Sequence, residues 1–114
     1  MTSNPPLPPL NYQFLKKIEA LESVEQIIMF GSRARGTART RSDIDLAVRF
    51  HPESLVSVEW QAVQDILENA DTLLPIDCVN LNTLVSPALL ENIQKEGVVL
   101  YQKKLTTSFP NLAL

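Results

Sequence analysis

The chain has 114 residues, 45% of them hydrophobic and 20% charged, with a formal net charge of −3 at pH 7. That length suits one domain around one core, and the acidic balance argues against bulk nucleic-acid binding, which needs a basic excess or stripe. Cys78 is the only cysteine and His51 the only histidine; this excludes an internal disulfide and a His-rich metal site, so any bound metal must be held by carboxylates.

The start MTSNPPLPPL lacks a basic segment followed by a long apolar run. No stretch reaches the ~18 apolar residues of a membrane span. A cytoplasmic protein with no membrane contact is expected. Prolines at 5, 6, 8 and 9 preclude helix or central strand, so residues 1–10 read as an extended arm. From Asn11, the apolar positions Phe14, Leu15, Ile18 and Leu21 recur at helical spacing and predict an amphipathic helix over 11–22.

Ile27 to Phe30 is a short apolar run ending at Gly31, the pattern of a buried strand entering a tight turn. Residues 31–42, GSRARGTARTRS, hold four of the ten basic residues of the chain, and they read as a basic, flexible loop. Ile44 to Phe50 then alternates: Ile44, Leu46, Val48 and Phe50 share one face, and Asp45, Ala47 and Arg49 the other. After Pro52, a second helical stripe runs through Val58, Ala62, Val63, Ile66, Leu67 and Ala70, giving a helix of roughly 55–69. Trp60 falls slightly off this stripe and reads as a partly exposed anchor for a partner chain.

Pro75 to Leu81 forms a third strand, with Cys78 as a small buried hydrophobe. Ser86-Pro87 opens a helix as N-cap and first-turn proline, Gly97 stands where a C-terminal cap belongs, and Val98 to Tyr101 is the last strand. The domain therefore spans 11–102. Residues 103–114 form a tail without clear period.

Chemistry concentrates around residues 31–45. Asp43 and Asp45 are two apart on a strand, so both carboxylates project from one face, with α-carbons about 6.5–7 Å apart. Two like charges this close repel unless a proton, an arginine or a divalent cation lies between them. Such a pair is also compatible with solvated carboxylates, and a Gly-Ser turn after a strand is common. The two together, separated by a short spacer, say more. Gly31 lets backbone N–H groups approach phosphate oxygens, Ser32 adds a hydroxyl, and a hard cation bridges carboxylates to nucleotide phosphates. Asp77 lies between Ile76 and Cys78, where a carboxylate is costly to bury unless paired or metal-bound. On a strand next to that of Asp45, it would complete a three-carboxylate site and could take a proton from an attacking hydroxyl. On an edge strand, it could simply face water. Arg33 and Arg35 are placed to neutralise a triphosphate, Arg33 the better candidate.

The segment GSRARGTARTRSDIDLAV, residues 31–48, closely resembles the signature of the minimal nucleotidyltransferases: Gly-Ser, a spacer, then Asp-x-Asp. These are the small stand-alone branch of the polymerase-beta nucleotidyltransferase superfamily. The order of elements and a lone Asp at position 77 extend the likeness to residues 12–101. The resemblance implies an α+β fold with a mixed sheet packed against helices. It implies ATP as substrate with two Mg²⁺ ions, Asp43, Asp45 and Asp77 as metal-binding and catalytic carboxylates, and Gly31, Ser32 and Arg33 as nucleotide-binding residues. It also implies a partner. Members of this branch commonly act as antitoxins beside an all-helical HEPN toxin, and the acceptor would be a tyrosine hydroxyl of that toxin, modified with AMP. Two alternatives stay open: an antibiotic or small-molecule nucleotidyltransferase acting as a homo-oligomer, and an antitoxin that neutralises by binding alone.

Overall fold

The computed structural model describes residues 12–52 and 56–104. Elements follow in the order α1 (Gln13–Glu19), β1 (Val24–Phe30), α2 (Gly31–Arg35), β2 (Ile44–Phe50), α3 (Val56–Glu68), β3 (Ile76–Asn80), α4 (Pro87–Glu96) and β4 (Val98–Gln102). The expected arm at 1–10 and the tail from 105 lie outside the described residues. No helix among these is long and apolar enough to cross a membrane.

One four-stranded sheet, order β3-β2-β1-β4, organises the molecule. β1 pairs antiparallel with β2 and β4, while β2 and β3 run parallel. The sheet is therefore mixed, as the α+β reading expects. Alternation decides what each face meets. Val24, Ile27, Met29, Ile44, Leu46, Val48 and Phe50 turn to one face and are fully buried under Phe14, Leu15 and Ile18 of α1 and Val63 of α3. The opposite face carries a smaller cluster, where Ile93 of α4 packs with Phe30 and Ala47. Asp45 and Asp77 share the parity of Ala47 and Val79 and so belong to this thinly covered face.

Two of the helix ends have local causes, and one does not. Ser86 Oγ accepts from Leu89 N–H at 3.2 Å, and Pro87 follows it. α1 has no such local cap. The Asp71 carboxylate, from the loop after α3, accepts from the N–H groups of Gln13 at 2.8 Å and Phe14 at 3.0 Å. α2 closes on Gly36, whose φ of 83° is left-handed.

One expectation needs correction. Residues 31–42 are not all loop, because the first five form α2. Trp60 is partly exposed, as expected, and its remaining surface packs on the core, the ring edge-on to Phe50 with centroids 6.3 Å apart. Gly97 caps the C-terminus of α4, as expected; its backbone is extended, and its N–H donates to Ile93 O at 2.9 Å. A β-carbon there would meet Ile93 O and, at 2.6 Å, Ile28 Cγ2, so close approach of backbone to sheet accounts for the glycine.

Candidate functional site

β1 runs toward the sheet end at which β2 begins, since Phe30 pairs with Asp45. β3 starts at that same end, with Ile44 opposite Ile76 and Asp45 opposite Asp77. Crossing the sheet at this end, the chain presents Gly31-Ser32, then Asp45, then Asp77, on strands spaced ~4.8 Å apart. Asp43 precedes Asp45 by two positions and lies at the same rim. The sequence left open whether the strand of Asp77 adjoins that of Asp45. It does, and it is also the edge strand, with Asp77 exposed.

Gly31 has φ of 76°, and a β-carbon on it would overlap Asp45 Oδ2 and stand 3.0 Å from Asp45 Cγ. The glycine makes the space that the carboxylate fills. Burial pushes the Asp45 carboxyl above its ordinary value of 3.8, the charges of Asp77 and then Asp43 push it further, and Arg35 pulls it back. The carboxylates thus feel one another, and Arg35 offsets their repulsion only in part.

The loop arginines divide their tasks. Arg33 turns its guanidinium onto its own loop: Nε and Nη2 donate to Ser42 O at 3.2 and 2.8 Å, and Nη2 also reaches Thr40 O at 3.2 Å. It thereby holds the segment that delivers Asp43. Arg35 pairs with Glu96 of α4 at 3.1 Å, which ties α2 to α4 beside Asp45.

Do these residues suit Mg²⁺? The donors are carboxylate oxygens, which a hard cation prefers, and Gly31 leaves a cradle for one of them. Among the described residues no three acidic, histidine or cysteine side chains stand close enough to enclose one ion. Mg²⁺ commonly takes one or two carboxylates and completes its shell with water and substrate phosphates. The set fits a cation shared with a nucleotide, rather than a caged structural ion.

The profile of the family described as "Polymerase beta, Nucleotidyltransferase" matches residues 13–106. The chain belongs to that family. Several solved structures share the nucleotidyltransferase fold. A toxin-antitoxin complex with AMP-PNP aligns at 23% identity and TM-score 0.54, covering 81% of this chain and 73% of the other. A toxin-antitoxin complex MntA-HpeT carrying two Asp-to-Glu substitutions two positions apart aligns at 22% and 0.59, covering 81% and 70%. A complex of tri-AMPylated Shewanella oneidensis HEPN toxin with MNT antitoxin aligns at 22% and 0.52, covering 80% and 66%. At these identities the likeness is one of fold. No curated protein sequence matches the chain.

Sequence reasoning missed two contacts that shape the nucleotidyltransferase domain. Arg35 as the partner of Glu96 joins positions 61 apart, and Asp71 as the cap of α1 joins positions 57 and 58 apart. Neither leaves a local signal.

Proposed function

We propose that this nucleotidyltransferase moves AMP from ATP to a tyrosine hydroxyl of a cognate HEPN toxin and acts as its antitoxin. The observation that carries the catalytic part is the alignment of Gly31, Asp45 and Asp77 across three neighbouring strands, with Gly31 shaped to admit the Asp45 carboxylate. The antitoxin part is supported by fold-sharing chains from toxin-antitoxin complexes, in one of which an MNT antitoxin accompanies a tri-AMPylated HEPN toxin. The paired substitutions in another have the spacing of Asp43 and Asp45.

In this reading, Gly31 and Ser32 meet the β- and γ-phosphates through backbone N–H groups and a hydroxyl. Asp43 and Asp45, with Asp77 as third carboxylate, would hold two Mg²⁺ ions together with the nucleotide phosphates. When bound, these ions stabilise the entering and departing oxygens of an in-line displacement. The acceptor oxygen bonds to the α-phosphorus as the bond from that phosphorus to the bridging oxygen breaks. Pyrophosphate leaves with the electron pair, and the acceptor proton passes to Asp77 and then to water. Arg33 serves the nucleotide indirectly, by fixing the 39–42 segment against α2.

Incubation of the chain with Mg²⁺, ATP and the HEPN-type protein encoded beside it, followed by intact-mass analysis and peptide mapping, tests this. Whole AMP adducts on a tyrosine of the partner are expected. A stable, unmodified complex that still silences the toxin would favour neutralisation by binding alone.

A further inference from the structure

An in-line displacement puts the attacking oxygen opposite the leaving one. With pyrophosphate over Gly31-Ser32 at the β1 end of the row, the acceptor must enter over β3. This step rests on the transfer chemistry proposed above. β3 is the edge strand, so no further strand of the sheet stands across that approach.

At this entrance lies a depression of about 440 Å³ lined by Arg41, Leu73, Leu74 and Pro75. Arg41 is two residues before Asp43, and Pro75 two before Asp77. Pro75 O accepts from Ile44 N–H at 2.9 Å, which fixes the depression to the end of the sheet where both acids begin. Leu73 is completely exposed. Nevertheless, the loop that presents it is pinned on three sides. Asp71 is bonded to the start of α1, Leu74 N–H donates to Thr72 Oγ1 at 3.1 Å, and Pro75 is bonded to β2. This anchored loop therefore presents an apolar side chain beside the depression, where a docked ring would remove it from water.

We infer that Leu73, Pro75 and Arg41 form the acceptor-docking subsite, which receives a tyrosine ring of the partner protein with an acidic neighbour. The apolar wall suits the ring, whose hydroxyl tip must reach Asp77. Arg41, the one charge in the lining, suits a carboxylate next to that tyrosine. A serine or threonine acceptor would leave Leu73 in water.

The test compares wild type, Leu73→Ser, Arg41→Ser and Leu84→Ser. Leu84 is as exposed as Leu73 but follows the far end of β3. Labelled AMP transfer is measured against concentration of the HEPN partner, and affinity for AMP-PNP is measured separately. Losing the burial of one leucine should raise the partner KM about tenfold for Leu73→Ser. Arg41→Ser should raise it less, and Leu84→Ser should match wild type. AMP-PNP affinity should not change in any variant. Wild-type KM in both Leu73→Ser and Arg41→Ser would overturn the subsite, as would a loss confined to AMP-PNP binding, which would give the depression to the nucleobase. If the wild-type chain transfers nothing, the proposed function itself falls, and this subsite with it.

Discussion

Gly31 and Asp45 compete for one small space: the carboxylate of Asp45 lies where a β-carbon on Gly31 would stand. With φ of 76° as well, Gly31→Ala should lose about 1–2 kcal/mol from the left-handed backbone alone, and more from the overlap. Chemical denaturation of Gly31→Ala, Asp45→Ala and the double variant would separate the two contributions. The losses should be less than additive, because removing the carboxylate removes the overlap while the backbone strain remains.

Asp45→Asn should abolish transfer and leave the fold intact. The group is half-buried, and burial, Asp77 and Asp43 all disfavour its charge. In metal-free buffer at neutral pH the variant should therefore melt no lower than wild type. A variant that unfolds at ambient temperature would identify Asp45 as a structural carboxylate.

Asp71 links stability to acid. The N–H of Gln13, then that of Phe14, holds its carboxyl below the ordinary 3.8. A depressed folded value means that its stabilisation is fully present above 3.8 and is lost as pH falls through the folded value. Thermal melts of Asp71→Ala should lie below wild type at pH 7, with the gap closing below about pH 4. A gap that is constant with pH would contradict the cap.

Arg33→Ala should free the 39–42 segment. A stability loss of about 1 kcal/mol is expected, with faster trypsin cleavage at Arg39 and Arg41. Arg33→Lys should rescue little, since an ammonium cannot reproduce the fork that spans Ser42 O and Thr40 O.

Cys78 should be inert. Burial, and secondarily Asp77, pushes its thiol up to about 12, so the thiolate is scarce at neutral pH. Labelling with a disulfide reagent at pH 8 should be slow in the folded chain and fast in denaturant.

Much of this fold was legible locally. β2 runs over Ile44–Phe50 as its alternation requires, and α4 begins where Ser86-Pro87 marks it. β1 extends to Val24 rather than starting at Ile27, because Glu25 and Gln26 hide its edge and a register shift falls between Val24 and Gln26. α2 was read as loop because five residues give no period. The Asp43–Asp45 pair could be read from spacing, whereas the alignment of Asp77 depends on a parallel register set by tertiary pairing. Asp71 capping α1 and Arg35 pairing with Glu96 come from contacts that only the assembled sheet and helices create.

The most direct measurement follows label from ATP into the proposed HEPN partner, with the label on the α- or on the γ-phosphate, using wild type and an Asp43→Ala, Asp45→Ala double variant in Mg²⁺. Incorporation from α-labelled ATP alone, absent in the double variant, is the expected result. Label from γ-labelled ATP, or undiminished labelling by the double variant, would contradict nucleotidyl transfer by these carboxylates.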